Sequence, residues 1–473
     1  MIESFRLTTG VLQAWEWLFI IYFALLAASY LLLDLIALAS LSRYLPEHTL
    51  DRLPEGYTGF EPGISLLAPA FNEETTIASS IRSLLQLTYA EYEIVVVNDG
   101  SKDRTLDVLM SEFSLTRFPE VYQMRIPTKT IRAVYHSQHY PNLRVVDKEN
   151  GGKADALNAG INLSKYGLFC SLDADSIVQR DSLQRIVQPF LHDPSTVACG
   201  GTIRIANGCE VSGGFLVKVG MPKNWLALFQ IVEYIRAFFF GRLGWSPMNA
   251  MLIISGAFGL FQKEAVLKVG GYRAETIGED MELVVRLHRV LRESRTPYRI
   301  TFVPDPICWT EAPEDLNTLR NQRIRWQRGL CESLSLNREL LFHPRGGTVG
   351  WLAFPFAILF ECLSPVIVVV GYFAIIIGFA LNWISIEALT VFLLAEVGLG
   401  MVVSVSALLL EELSFHIYPK SVHTLCLFAV ALVENLGYRQ LNSVWRFIGL
   451  FRWISGAKAT WGQMTRVASW QSR

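Results

Sequence analysis

The chain has 473 residues, of which 51% are hydrophobic and only 18% charged, with a positive mean hydropathy. Ordinary soluble domains carry about a quarter charged residues, so the composition points to membrane insertion, and a formal net charge of −1 argues against nucleic acid as a partner. The seven cysteines (Cys170, Cys199, Cys209, Cys308, Cys331, Cys362 and Cys426) form no CxxC pair and no ligand-like spacing, which argues against a disulfide framework or structural zinc and for a reduced compartment.

The first apolar run, Leu18 to Leu41, contains one charge, Asp34. It reaches the roughly 20 residues a bilayer crossing needs, and it is too long for the apolar core of a cleavable signal. From Phe60 to Pro344 the pattern changes to alternating strand and helix. Short apolar runs at Ile64–Ala68, Ile94–Val97, Leu143–Val146, Leu168–Leu172 and Val197–Ile205 end in turn chemistry, and amphipathic stretches such as Glu74–Leu87 follow the first four. That alternation predicts an α/β domain, a mostly parallel sheet with helices on both faces. Functional residues then collect at the carboxyl ends of strands. The segment Met110–Pro141 breaks the rhythm and takes neither structure nor role. Trp225–Phe240 is apolar but holds Glu233 and Arg236, and reads as an amphipathic helix rather than a span.

Three more apolar segments follow: Trp351–Leu381 with Glu361 and Pro365, Ala388–Leu410 with Glu396, and the short Val422–Tyr438 with Glu434. The loop between the second and third spans lacks Lys and Arg, whereas Lys420 follows the third, so the positive-inside rule places the middle domain in the cytoplasm. The tail carries Arg439, Arg446, Arg452, Lys458, Arg466 and Arg473 with Trp445, Trp453, Trp461 and Trp470, which suits a headgroup-level helix and conflicts with four full crossings. The expected organisation is an anchor over 1–45, a cytoplasmic domain over 46–345, membrane helices over 346–440 and a basic aromatic tail over 441–473.

Four clusters in the middle of the chain carry chemistry. In Asn98-Asp99-Gly100-Ser101 a buried strand opens into a tight turn, where an acid can accept from a nucleotide base or ribose; the same residues are also plain turn vocabulary. Asn72 and Glu73 end the preceding strand and support the same crevice. Asp173-Ala174-Asp175 follows another buried strand. Residues two apart on a strand point the same way, so both carboxylates can converge on one hard cation when a phosphate supplies other oxygens. A pair of helix-capping acids is the alternative. Lys153, after Gly151-Gly152, would act as a point charge on a diphosphate.

Gly278-Glu279-Asp280 opens an amphipathic helix, with Asp280 at the positive end of its dipole. An ionised carboxylate facing an acceptor hydroxyl there is a general base; on the motif alone, ordinary first-turn preference for acids is the commoner explanation. Gln322, Arg325 and Trp326 fall on one helical face. Trp can stack on a sugar ring while Arg and Gln hold charged or hydroxyl oxygens.

Taken in order, Pro69-Ala-Phe-Asn-Glu-Glu, Asn98-Asp-Gly-Ser-Lys-Asp, Asn150-Gly-Gly-Lys-Ala, Asp173-Ala-Asp, Gly278-Glu-Asp and Gln322-Arg-Ile-Arg-Trp resemble the family-2 inverting glycosyltransferases. Within that family they look most like the membrane-embedded processive synthases of cellulose, hyaluronan, chitin and poly-N-acetylglucosamine. The likeness covers about residues 60 to 345 and extends to the flanking spans. It implies a GT-A fold, the Rossmann-like nucleotide-diphospho-sugar transferase domain, flanked by transmembrane helices. It further implies a UDP-sugar donor and a Mg2+ or Mn2+ cofactor, with Asp173 and Asp175 holding donor and metal. By the same likeness Asp99 contacts the uracil end, Asn72, Glu73 and Lys153 help hold the nucleotide sugar, and Asp280, with Glu279 beside it, deprotonates the acceptor. Gln322, Arg325 and Trp326 become the diphosphate and acceptor floor. The chain departs from the pattern at Asn98, where a second acid is common.

The implied activity is transfer of glucose or N-acetylglucosamine to a growing β-linked polysaccharide at the inner membrane, coupled to export, with accessory export subunits as possible partners. The alternatives are transfer of a single sugar to a membrane lipid, and a non-catalytic channel or scaffold. Each span carries one acid, and intramembrane acids need a polar lining or a partner. Asp34, Glu361, Glu396 and Glu434 either line a channel for the polysaccharide or lie at the interface and pair with Arg.

Overall fold

The computed structural model describes residues 2–47, 61–174, 176–418 and 420–457. The strands are β1 (Ile64–Ala70), β2 (Tyr92–Asp99), β3 (Leu115–Arg117), β4 (Ile131–Ser137), β5 (Leu143–Lys148), β6 (Leu168–Leu172), β7 (Ile177–Val178), β8 (Thr196–Ile205), β9 (Glu210–Ser212), β10 (Phe215–Lys218), β11 (Phe258–Gln262) and β12 (Arg299–Thr310). All but β9 and β10 join one sheet in the order β3-β4-β5-β2-β1-β6-β11-β8-β12-β7. β5, β2, β1 and β6 run parallel, as do β8 and β12. These strands are buried along nearly their whole length, as a parallel sheet covered on both faces requires. β11 enters antiparallel between β6 and β8, and β3 and β4 close one edge antiparallel.

The predicted α/β alternation therefore holds, with the five apolar runs as β1, β2, β5, β6 and β8. Helices Ile77–Leu84, Thr105–Glu112 and Lys153–Leu163 follow β1, β2 and β5. The unassigned segment Met110–Pro141 supplies β3 and β4. Its half-exposed edge strands carry too little apolar signal to be read from sequence.

Among the described residues, three helical stretches are long and apolar enough to cross a membrane: Trp17–Leu45, Val349–Ala380 and Ile386–Ser414. Ser421–Val433 and Tyr438–Ile454, bent by 57°, make a fourth only if taken as one span. Trp225–Phe238 is the expected amphipathic helix; it lies between β8 and the helices Leu399–Ser414 and Ser421–Val433. Tyr438–Ile454 lies along the helix Leu316–Leu336. Two residues read as interfacial turn inward there. Trp445 is 6% exposed, and Arg446 donates to Gln327 Oε1 at 2.7 Å. Lys458, Trp461, Arg466, Trp470 and Arg473 lie outside the described residues.

Candidate active site

Because β2, β1 and β6 are parallel neighbours, their carboxyl ends lie side by side and bring two of the four sequence clusters, together with Asn72 and Glu73, to one edge. After β1, Asn72 takes a left-handed conformation at φ 57°, its Oδ1 accepts from Lys102 N–H at 2.9 Å, and its own N–H reaches Ser101 Oγ at 3.1 Å. Glu73 N–H donates to Thr105 Oγ1 at 2.8 Å. These bonds lace the loop after β1 to the loop after β2.

Asp99 is 3% exposed, and its carboxylate is fully engaged. It accepts from Lys148 Nζ at 2.6 Å, Gly152 N–H at 2.8 Å, Gly151 N–H at 3.0 Å and Asn150 Nδ2 at 3.1 Å. Asp99 thus holds the turn from which the Lys153–Leu163 helix starts. Lys148 is wholly buried and shares its charge with Asp155 at 2.5 Å. Neither Lys148 nor Asp155 was singled out by the sequence; the available signal was a lone cation closing a buried strand. Asn98 lies opposite Asp147 on β5 and donates to it at 2.7 Å. An acid at position 98 would set two carboxylates against each other there.

Lys153 is the hub of the site. Its ammonium pairs with Asp173 and lies 3.8 Å from Glu279 Oε1. Burial acts to lower its proton affinity, but Asp173, Glu279 and Asp280 outweigh that and raise it, so Lys153 is firmly cationic. Burial pushes the Glu279 carboxyl up to about 7, with Lys153 opposing and Asp280 reinforcing the shift. Asp280 opens the Glu279–Glu293 helix as predicted, and its Oδ2 accepts from Gly256 N–H at 3.2 Å. Gly256 was missed by sequence reasoning, since Ser255-Gly256-Ala257 reads only as a turn. A Cβ there would stand 2.8 Å from Lys153 Nζ, so its missing side chain is what lets the ammonium sit beside Asp280.

Gln322, Arg325 and Trp326 lie on the Leu316–Leu336 helix, as their spacing predicted. Trp326 is 43% exposed, whereas Gln322 is buried with Oε1 unpartnered. Arg323 lies wholly buried behind Trp326, its guanidinium 4.4 Å from the ring centroid, and donates to Glu233 Oε2 at 2.7 Å. Tyr438 donates to the same oxygen at 3.0 Å. The helix docks on the Asp280 helix through Gly329 against Gly278, where a Cβ on Gly278 would stand 2.8 Å from Gly329 Cα. That contact joins the fourth cluster to the third.

Asp173 offers a partly exposed carboxylate, a hard oxygen donor of the type Mg2+ or Mn2+ takes. Asp175 lies outside the described residues, and among the described residues no three metal-ligating side chains gather.

The span acids have distinct surroundings. Glu434 pairs with Arg236 and accepts from Ser404 Oγ at 2.6 Å, and Asp34 accepts from Ser406 Oγ at 2.5 Å. Glu396 accepts from Tyr372 OH at 2.6 Å and Gln440 Nε2 at 3.0 Å. Among the described residues the Glu361 carboxylate has neither a hydrogen bond nor an ion pair; only its backbone oxygen is used, by Arg446 at 2.6 Å.

A family model described as Glycosyltransferase like family 2 matches residues 62–329. The chain belongs to that family. It is 31% identical over 313 residues to the poly-β-1,6-N-acetyl-D-glucosamine synthase of Staphylococcus aureus, covering 66% of this chain and 63% of the relative. The protein of the same name from Staphylococcus epidermidis is 30% identical over 273 residues, 58% of this chain and 55% of the relative. The chain thus spans somewhat under two thirds of the length of these curated relatives. Among solved structures it is similar to the mannosyltransferase PcManGT from Pyrobaculum calidifontis in complex with GDP-Man and Mn2+, with TM-score 0.51 and 15% identity over 92% of this chain and 100% of that one. That likeness concerns the fold, and with the family match it bears out the GT-A architecture read from the sequence.

Proposed function

We propose that this protein is a membrane-embedded, inverting glycosyltransferase that moves a sugar from a UDP-sugar to a growing β-linked polysaccharide. The observation that carries the reading is the joining of Lys153, Asp173, Glu279 and Asp280 to the Trp326 face through the Gly278–Gly329 contact, beside three helices apolar enough to span a bilayer. The names of the curated relatives favour N-acetylglucosamine over glucose. Export of the product, a cytoplasmic catalytic domain and accessory export subunits belong to the same proposal; the positive-inside pattern supports the orientation, and the family resemblance the rest.

The donor diphosphate is placed at Lys153, whose fixed positive charge neutralises the leaving group as the anomeric carbon separates from it. A divalent ion held by Asp173 and Asp175 would supply further Lewis-acid stabilisation. Asp280 takes the proton of the acceptor hydroxyl in the same in-line displacement, held in place by Gly256 N–H. Trp326 is the exposed aromatic floor for an acceptor ring. Asn72, Glu73 and Asp99 frame the nucleotide end; the engaged carboxylate of Asp99 suits it to shaping the crevice.

The test uses purified protein in lipid with Mg2+ or Mn2+ and radiolabelled UDP-sugars. Long polymer from UDP-N-acetylglucosamine is the expected product. Label confined to a lipid extract would establish single addition to a lipid instead, and no transfer from any UDP-sugar would leave a scaffold role. Asp280→Asn should slow transfer by about 100-fold or more, the usual contribution of a general base. Near wild-type turnover would remove Asp280 from that role.

A further inference from the structure

The second span has a break in its backbone ladder, and two thiols meet across the contact that bridges it. Pro365 has no N–H to offer Glu361 O, and Val366 N–H bonds to Leu363 O at 3.0 Å rather than to Cys362 O. The helix widens to a π-turn over Ala357–Cys362 before the break and resumes at Ser364 after it. The two carbonyls left over are taken up by two other helices. Gln327 Nε2, from the Leu316–Leu336 helix, donates to Cys362 O at 3.0 Å, and Arg446, from the Tyr438–Ile454 helix, donates to Glu361 O at 2.6 Å. Arg446 also donates to Gln327 Oε1 at 2.7 Å, so three helices are joined at one point by side-chain bonds.

Cys331 and Cys362 face each other at this joint. Cys331 lies beyond Trp326 on the same helix, and Cys362 ends the π-turn. Their Sγ atoms are 3.2 Å apart, and both are free thiols. A sulfur–sulfur bond is about 2 Å long, so the pair needs to close by only about 1 Å to form one. Gln327 Nε2 lies 3.8 Å from Cys331 Sγ. That amide, with the Arg446 guanidinium behind it, supplies the positive surroundings a reacting thiolate needs. Cys331 is 2% exposed and Cys362 9%, among Leu334, Ala353, Ala357 and Leu450. An apolar wall of this kind admits a small neutral oxidant and excludes a charged disulfide reagent.

We propose that Cys331 and Cys362 are a redox modification site, where a peroxide forms a reversible disulfide that ties the Trp326 helix to the second span and slows sugar transfer. One thiolate attacks a peroxide oxygen and breaks the O–O bond, giving a sulfenic acid and a hydroxide that takes up the thiol's proton to become water. The second thiol then attacks the sulfenic sulfur, forming the S–S bond and releasing another water. Two sulfurs thus give up two electrons in all, and one peroxide is reduced to two waters. A thiol reductant reverses the bond, and in a reduced compartment the dithiol is the resting form. The bond links positions 31 apart in sequence and replaces a joint of side-chain bonds by a covalent one. The slowing rests on the proposed acceptor role of Trp326; formation of the bond does not.

Full-length protein in lipid nanodiscs is treated with hydrogen peroxide and then with dithiothreitol. Linked peptides are read by mass spectrometry after free thiols are blocked, and UDP release from UDP-N-acetylglucosamine is followed in parallel. The oxidised wild type should yield a peptide linking Cys331 to Cys362, show a raised Tm and release UDP about fivefold more slowly, all reversed by dithiothreitol. Cys331→Ala and Cys362→Ala, when reduced, should each work within about twofold of wild type and keep that rate in peroxide. Either one serves if the other fails to fold. Absence of the linked peptide, or oxidation of either sulfur to sulfinic acid instead, would overturn the site. A linked peptide with unchanged UDP release would overturn the control of transfer, as would peroxide inhibition of Cys362→Ala equal to that of wild type. A reduced wild type that transfers no sugar would overturn the proposed function, while the linked peptide, read without activity, would still decide the disulfide.

Discussion

Lys153 shows how a single half-buried cation orders a set of carboxylates. It pairs with Asp173 and lies near Glu279, whose carboxyl is pushed up to about 7 from an ordinary 4.5. With the folded value above the unfolded one, the folded state prefers the protonated acid. The stability this contributes is complete below the unfolded value of 4.5 and is lost as pH rises through about 7. Glu279→Gln, which imitates the protonated form, should therefore raise Tm relative to wild type more at about pH 8.5 than at about pH 5. A difference scan of the two proteins at both pH values checks this; an equal gain at each would assign the effect to packing. Which residues carry charge at the site was legible from their types and order. That Asn98 replaces an acid because it must donate to Asp147 was not, since the register of β2 on β5 decides it.

The Leu316–Leu336 helix carries its proposed acceptor face on a buried support. Arg323 underlies Trp326, and Glu233 from the amphipathic helix with Tyr438 from the last helix fixes the guanidinium. A planar guanidinium stacks on an indole where an ammonium does not. Arg323→Lys should accordingly raise the acceptor half-saturation about tenfold and leave the donor KM nearly unchanged, and Trp326 fluorescence should shift because the ring is freed. Equal changes in both kinetic constants would indicate general damage. At this scale the sequence announced the central strands, whose short apolar runs end in turn chemistry. It concealed β12, where Pro304, Asp305 and Pro306 read as breakers. The strand accommodates them through register shifts against β8 between Val303 and Cys308. The fourth apolar segment was equally misleading in length, because it bends at Gly437, at φ 126°, and continues as the helix that backs Trp326.

Over the whole molecule, the transferase domain and the span helices are joined by buried ion pairs. Arg204 on β8 pairs with Glu411 of the third span, and both are 2–3% exposed. Arg236 of the amphipathic helix pairs with Glu434. Removing one partner of a buried pair leaves an uncompensated charge, costing about 3–5 kcal/mol, whereas replacing both is close to neutral. Arg204→Met should markedly lower the thermal stability of the protein in lipid, and Arg204→Met with Glu411→Met should restore most of it. Additive losses in the double variant would mean that each residue has a separate role.

Local chemistry was enough to reveal the α/β core, the apolar spans, the order of the acidic clusters and the family they belong to, because each depends on residue type and short-range spacing. Long-range pairing decided the rest: which acids are satisfied and which are left open, that Asp99 builds a turn, that Trp445 and Arg446 turn inward, and that Gly256 makes room for Lys153. Partners separated by tens to hundreds of residues leave no periodicity to read, and only the folded chain brings their charges and contacts together.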